Sequence, residues 1–333
     1  MNLTPNSSNQ IRIGIVGYGN IGRGVESAIA QNSDMTLVGI YTRRNPDELA
    51  KTTEVKLYHV SELEKLPERI DVALLCGGSA TDLPEQGPHY AGLFNTVDSF
   101  DTHAKIPYYF ADVDEAARKA GKTCVISTGW DPGLFSMLRA LSVAFMPVGK
   151  TYTFWGPGVS QGHSNAVRAV EGVKNAVQYT IPIEDALKRV RAGSNPDFTT
   201  REMHRRVCYV VPEEDADREK IRNEIATMPN YFAPYDTEVI FVSENELASQ
   251  HSKMPHGGFV IRSGTTGDNN QELLELTVQL KSNPEFTGSI MVAYARAVYR
   301  LNKEGQIGAK TVFDIAPSYL SVWPRNELLK RLL

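Results

Sequence analysis

The chain has 333 residues, 41% of them hydrophobic, and a formal net charge of −4 at pH 7. That length allows two domains, the apolar content supports a sizeable core rather than disorder, and the mildly acidic balance excludes a general nucleic-acid binder, which needs a dense basic face. Three widely separated cysteines, Cys76, Cys124 and Cys208, show no paired Cys/His spacing, so neither a disulfide framework nor a metal is expected.

The polar start MNLTPNSSNQ reads as a flexible tail over residues 1–10 with no signal peptide, and no apolar run is long enough to span a bilayer; the expected setting is cytoplasmic, away from membranes. Residues 11–16, IRIGIV, predict a strand, and GYGNIG turns the chain into a helix running to about Gln31. MTLVGIYT predicts the second strand. DVALLCGGSATD, NTVDSFD and KTCVISTGWDPG repeat one form, an apolar strand followed by small and acidic residues, with helical stretches such as Pro107–Ala120 between them. Alternating strand and helix predicts a parallel α/β sheet of Rossmann type.

Past Asp131 the texture changes. TYTFWGPG, NAVQYTIPI, HRRVCYVVP and TEVIFVS read as strands of a second, α+β domain, and GGFVIRSGTTGDNNQELLELTVQL reads as a hairpin with glycine and polar residues at its turn. A long amphipathic helix near Gly288–Lys303 stops at Gly305, and the final segment is expected to return to the first domain. The organisation expected is a nucleotide-binding domain over residues 11–130, with a returning segment at about 300–333, and a substrate region over 131–299.

Gly17, Gly19 and Gly22 match G-x-G-x-x-G between a strand and a helix, where glycines permit a tight turn and bring a pyrophosphate close to free N–H groups. The second strand ends about 20 residues further on, at the position that reads the adenosine ribose. An NAD site offers a carboxylate there. Thr42, Arg43 and Arg44 offer a hydroxyl and two cations, which suit the extra phosphate of NADP. The alternative is two solvated arginines, with Asp47 or Glu48 holding the ribose. Cys76, Gly77, Gly78 and Ser79 lie at the next strand's carboxyl end, along the cofactor; Cys76 reads as a small buried residue rather than a nucleophile.

Ligands of open α/β sheets bind beyond the strands' carboxyl ends. Two strands bring acids there, Asp98 and Asp101 in VDSFD and Asp131 in STGWDPG, and this pairing suggests a substrate with positive charge, such as an amine. Taken singly, an aspartate at such a place is as readily a helix cap. The second domain supplies the opposite sign, with His204, Arg205 and Arg206 at the edge of an apolar strand and His256 in a turn before Gly257-Gly258. Trp155 is either core or a lid, and the small-residue loop with Gln161 and Gly162 can donate backbone N–H groups.

Nine stretches together resemble meso-diaminopimelate dehydrogenases: VGYGNIGR, TRR, GSATDLPEQ, TVDSFD, STGWDPG, TFWGPGVSQGHS, AVQYTIP, MPHGG and NPEFT. The resemblance implies a homodimer that deaminates the D-centre of meso-2,6-diaminopimelate with NADP, giving L-2-amino-6-oxopimelate and ammonium, in lysine and peptidoglycan precursor synthesis. It implies that the second domain also serves dimerisation. It further implies that Asp101 and Asp131 hold the reacting amine, that Trp155, Gln161 and Gly162 line that end, and that Thr180, Arg206, His256 and Asn283 grip the distal L-centre. On the cofactor side it implies Tyr18, Asn20 and Ile21 in the glycine turn, Ser99, Phe100 and Asp101 after one strand, and Thr128, Gly129, Trp130, Asp131 and Pro132 after another. A sugar or polyol oxidoreductase of the same plan commonly carries a Lys base in an E-K-P sequence, absent here. A non-catalytic NADP sensor would keep the glycine turn without turnover.

Overall fold

The computed structural model describes residues 10–65 and 70–333. Of the tail expected over residues 1–10, all but Gln10 lies outside the described residues. The chain divides into two compact units, residues 1–137 with 284–333, and residues 138–283.

In the first unit, seven strands form one parallel sheet in the order Gly308–Lys310, Thr123–Val125, Asn95–Asp98, Val72–Leu75, Ile11–Val16, Met35–Thr42, Leu57–His59. The strand Ile11–Val16 is flanked by the second strand on one side and Val72–Leu75 on the other, so the chain order reverses beside it; a crevice opens at such a switch point. Alternation along this strand feeds two cores: Ile13 and Ile15 pack with Val25, Met291 and Val298, while Val16 packs with Leu75, Leu83 and Val113 on the other face.

The long helix spans Asn283–Lys303, starting earlier than Gly288 because Pro284 fits a first-turn position. It meets the helix Asn20–Ala30 through glycine: a Cβ on Gly288 would lie 2.5 Å from the carbonyl carbon of Gly24. The expected return near residue 300 falls within this helix. Buried Arg296 then ties the return segment down, bonding Asp34 at 2.6 Å, Asn32 at 2.7 Å and the Leu320 carbonyl at 2.8 Å.

The second unit is α+β. One sheet runs Asp236–Phe241, His204–Pro212, Val173–Pro182, Gly158–Val159; a second runs Asn270–Leu280, His256–Thr266, Gly149–Trp155. The expected hairpin pairs His256 with Leu280 through to Thr266 with Asn270. No helix among the described residues is long and apolar enough to cross a membrane.

Candidate active site

The three glycines of the first turn do three different things. Gly17 has φ +94°, and a Cβ there would press on the Cys76 carbonyl at 3.2 Å. A Cβ on Gly22 would lie 2.3 Å from the Gly17 carbonyl oxygen, so only glycine closes the turn. A Cβ on Gly19 would meet nothing within 4 Å. Gly19 is therefore bare toward open space, at the N-cap of the helix Asn20–Ala30, which has no side-chain cap and no acid in its first turn. The N–H groups and the dipole at this helix N-terminus fit a pyrophosphate.

A cavity of about 310 Å³ opens from this turn, lined by Gly17, Tyr18, Gly19, Thr42, Arg43, Arg44, Cys76, Gly77 and Gly78, with Asp82 and Gln86 on the far side. Asp47 and Glu48, the alternative ribose readers, are not among its lining residues. Thr42 is buried and accepts a hydrogen bond from the Arg44 N–H at 3.1 Å; the Arg44 guanidinium donates to the Tyr18 carbonyl. Arg43 pairs with Asp82 at 2.8 Å, an exposed guanidinium on a mostly buried carboxylate. Asp82 also accepts from the Gly78 N–H at 2.9 Å. This acid was legible only as part of a motif, with no signal for its pairing. The Tyr18 ring is buried and its hydroxyl donates to Glu26, so its carbonyl is what it offers the loop. Asn20 is exposed and accepts from Arg23 at 3.1 Å, while Ile21 packs against the core. Burial pushes the Cys76 thiol far up, which leaves it inert.

The acids at the strand ends separate. Asp98 is internal: it accepts from the Phe100 N–H, the Ser127 N–H and the Tyr109 hydroxyl. Asp101 is exposed, and its N–H donates to the Ser79 hydroxyl at 2.8 Å. Asp131 is half-buried in the turn after Ser127, where a Cβ on Gly133 would lie 1.9 Å from the Gly129 carbonyl oxygen. Phe100 and Trp130 are core side chains, stacked on Tyr109 and edge-on to Phe135, so those positions present mainly backbone. Thr128 is buried with its hydroxyl donating to the Asp98 carbonyl at 2.7 Å; Ser99 and Pro132 are half-buried beside them.

In the second unit, strand register gathers candidates far apart in sequence. Gly158 pairs with Thr180, and Thr180 with Arg206, so the three form one row. The Val159 N–H donates to Pro255 and the Gly156 N–H to Gly257, which brings His256 alongside; a Cβ on Gly158 would lie 2.6 Å from the His256 ring. Gln161 donates to Met254 sulfur at 3.0 Å, and the Asn283 N–H donates to the Met254 carbonyl at 3.0 Å. Gly162 lies in the first turn of Gln161–Arg168 with open space above its Cα.

Arg206 is 6% exposed, stacks on the Tyr235 ring at 4.0 Å and donates from Nη1 to the Thr180 hydroxyl. Its Nε has no partner, and no ion pair to it exists among the described residues. Burial lowers its pKa from the ordinary value. Arg205, on the other face, points to solvent and pairs with Glu238 at 3.7 Å. Sequence reasoning did not separate His204 and His163 from their surroundings. Burial, with Arg206 nearby, presses both down to about 4, so both are neutral. His204 Nε2 accepts the Trp155 N–H at 2.9 Å, which fixes that backbone. The period of two, which puts His204 and Arg206 on one face, was the available signal.

Two family models match the chain: "Oxidoreductase family, NAD-binding Rossmann fold" over residues 11–92, and "Diaminopimelic acid dehydrogenase C-terminal domain" over residues 129–282. The meso-diaminopimelate D-dehydrogenase of Lysinibacillus sphaericus is 61% identical over 323 residues, which cover 97% of this chain and 99% of that protein. A six-fold substituted meso-DAP dehydrogenase from Clostridium tetani E88, crystallised with DAP, is 56% identical with a TM-score of 0.92, covering 97% of this chain and 100% of that one. An engineered D-amino acid dehydrogenase bound to NADP+ is 44% identical with a TM-score of 0.88, covering 97% and 100%.

Proposed function

The chain belongs to the meso-diaminopimelate D-dehydrogenase family, and from that premise we propose that it deaminates the D-centre of meso-2,6-diaminopimelate with NADP+, releasing ammonium. The product, L-2-amino-6-oxopimelate, cyclises to tetrahydrodipicolinate, and the reaction is reversible.

The observation that carries the substrate reading is Arg206. A buried guanidinium with an unpartnered Nε calls for an anion, and a carboxylate takes such a group with a fixed orientation. Thr180, His256 and Asn283 complete the grip on the L-centre. Held by that end, the substrate presents its D-centre to Asp101 and Asp131, with Trp155, Gln161 and Gly162 near the D-carboxylate. The two aspartates act first as electrostatic positioners of the ammonium and of the iminium that follows, since a carboxylate is a weak base toward an ammonium. A proton relayed from the amine, and water added to the iminium, complete the deamination. Supporting the grouping, the C. tetani variant is substituted at a Gln, a Thr, an Arg, an adjacent Pro-His pair and an Asn. Their intervals along that chain equal those between Gln161, Thr180, Arg206, Pro255-His256 and Asn283.

NADP fits the first unit by the open space at Gly19, the uncapped helix N-terminus and the cations lining the cavity. Gly17 to Gly22 would hold its pyrophosphate, Thr42 to Arg44 its 2′-phosphate, and the segments at Cys76–Ser79, Ser99–Asp101 and Thr128–Pro132 the rest. When bound, its nicotinamide supplies the hydride acceptor. A cytoplasmic homodimer belongs to this reading; exposed Leu273 and Leu274 on one strand and Val143 and Phe145 on one helix are apolar surface suited to a second copy.

The test is NADPH formation followed by absorbance with meso-, LL- and DD-diaminopimelate, alongside ammonium release. Turnover with the meso compound and none with the LL compound is expected. Absence of NADPH formation with meso-diaminopimelate overturns the assignment, and light scattering checks the dimer.

A further inference from the structure

We propose that Asp98 is a positioning residue for the reaction: its buried carboxylate clamps the two loops that carry Asp101 and Asp131 into one arrangement. This rests on the reading that those two acids hold the reacting ammonium.

The clamp is made of five hydrogen bonds from three elements. Asp98 Oδ1 accepts from the Phe100 N–H at 2.9 Å and from the Ser127 N–H at 3.0 Å, so one oxygen joins the first loop to the second. Oδ2 accepts from the Tyr109 hydroxyl at 2.7 Å. The main-chain carbonyl of Asp98 accepts from both the N–H and the hydroxyl of Thr128, at 2.8 and 2.7 Å. The adjoining strands share only two paired positions, Thr96 with Cys124 and Val97 with Val125. Beyond Val125 the regular ladder has ended, and Asp98 continues the connection through its side chain, which bonds the Ser127 N–H, and through its carbonyl, which bonds Thr128.

Three further observations show a built device. Ser127 has φ +56°, a left-handed conformation costly for a serine, and the Asp98 bond to its N–H holds it there. The Tyr109 ring stacks on Phe100 at 4.1 Å, pressing the first loop down from the helix side. Room for that ring comes from Gly87, where a Cβ would lie 2.0 Å from the Tyr109 oxygen. The groups facing the carboxylate are the Tyr109 phenol, the Cys124 thiol and backbone N–H groups, and among the described residues no cation bonds it. Asp98 thus differs from Asp34 and Asp71, which pair with Arg296 and Arg12. Its donors are neutral: two are N–H groups of the loops themselves and the third is Tyr109 of the following helix, so its bonding goes to loop placement.

The experiment compares Asp98→Ala, Asp98→Asn and Tyr109→Phe, with Asp101→Asn as control. Each is read by steady-state kinetics, by binding of 2′,5′-ADP, which reports the adenosine end alone, and by backbone hydrogen exchange in the cofactor-free protein. Asp98→Ala is expected to lower kcat by about 30-fold or more while 2′,5′-ADP affinity stays within about twofold, because misplacement of a reacting group costs about that much. Exchange should quicken over residues 99–101 and 126–131 and not elsewhere. Asp98→Asn keeps an oxygen for both N–H donors and should restore most of kcat. Tyr109→Phe removes one donor and should quicken exchange over 98–101; this variant carries the test if Asp98→Ala does not fold. Unchanged exchange in these loops, or a loss of 2′,5′-ADP binding in step with kcat, overturns the positioning role. A loss of kcat in Asp101→Asn without one in Asp98→Ala overturns it alone; unchanged kcat in both, with exchange quickened, overturns instead the role given to Asp101.

Discussion

Replacing Arg206 by methionine should separate binding from folding in opposite directions. Methionine keeps the length and much of the stacking on Tyr235 and removes the charge. The guanidinium is 6% exposed, so the substrate carboxylate it receives is also desolvated. Truncating one partner of a buried, hydrogen-bonded charge pair costs about 2–5 kcal/mol. At about 1.4 kcal/mol per decade, a central value of about 3 kcal/mol raises KM for diaminopimelate about 150-fold. Affinity for NADP+ should hold within about twofold, because the partners of Arg206, Thr180 and Tyr235, are not among the residues assigned to the cofactor. In the substrate-free protein the same change removes a buried cation that no carboxylate compensates, so Tm should rise. Arg206→Lys should recover little, since a point charge on a flexible stem reproduces neither the fork nor the ring stacking. Steady-state kinetics and differential scanning calorimetry on the same preparations decide it. An unchanged KM removes Arg206 from the site; a raised KM with a lowered Tm makes it structural and refutes the reasoning.

The glycine turn gives a contrast within one motif: Gly19→Ala has open space and should keep Tm while weakening NADP+ at least about tenfold, whereas Gly22→Ala meets the Gly17 carbonyl and should lower Tm by several degrees. Arg43→Glu should weaken NADP+ about 30-fold and NAD+ far less in fluorescence titrations, while Arg44→Ala, which frees the Tyr18 carbonyl, should weaken both; equal losses in Arg43→Glu would deny it the 2′-phosphate. Asp131→Asn should cut kcat by about tenfold or more at unchanged NADP+ affinity, and wild-type turnover would reject its place at the ammonium. Burial raises Asp98 from an ordinary 3.8 to about 6, so the folded protein binds that proton more tightly than the unfolded chain. The stabilising contribution is full below about 3.8 and is lost as pH rises through about 6, a swing of about 3 kcal/mol. The stability of Asp98→Asn relative to wild type should therefore improve between pH 4 and 7 in urea titrations, and a pH-independent difference would show Asp98 unshifted.

What could be read from sequence follows the range of the interaction. The glycine turn was legible because each demand is local, a positive φ at Gly17 and a carbonyl against Gly22. One spacing put Thr42 to Arg44 at the end of the second strand, where they line the cavity beside the glycine turn. Asp98 and Asp101 looked alike as strand-end acids, because what divides them is Tyr109, which reaches Asp98 from the following helix, and Ser127, twenty-nine residues away. The strands Leu57–His59 and Gly308–Lys310, three residues each, are too short to show a period and exist by pairing with neighbours already in place. Thr180 reaches Arg206, and His256 reaches Gly158 in the same row, only through strand register, which no single stretch encodes.

Buried arginines in this chain show why Arg206 stands apart. Arg296, 2% exposed, meets the Asp34 carboxylate, the Asn32 side chain and the Leu320 carbonyl. Arg262, 4% exposed, donates to the carbonyls of Met146 and Pro147 and to the Thr151 hydroxyl. Both are cations that the fold has surrounded with acceptors, as burial of a charge requires. Arg206 is as deep, yet around it stand the Thr180 hydroxyl and Tyr235, with its ring face and hydroxyl, and its Nε is idle. Residue type and burial are the same in all three, so neither can be what marks a binding residue. The shortfall of acceptors is what differs, and in the function proposed above a substrate carboxylate makes it up. The two histidines near it are held neutral, so on the proposed reading that single guanidinium is the charge that selects which end of a near-symmetric substrate is gripped.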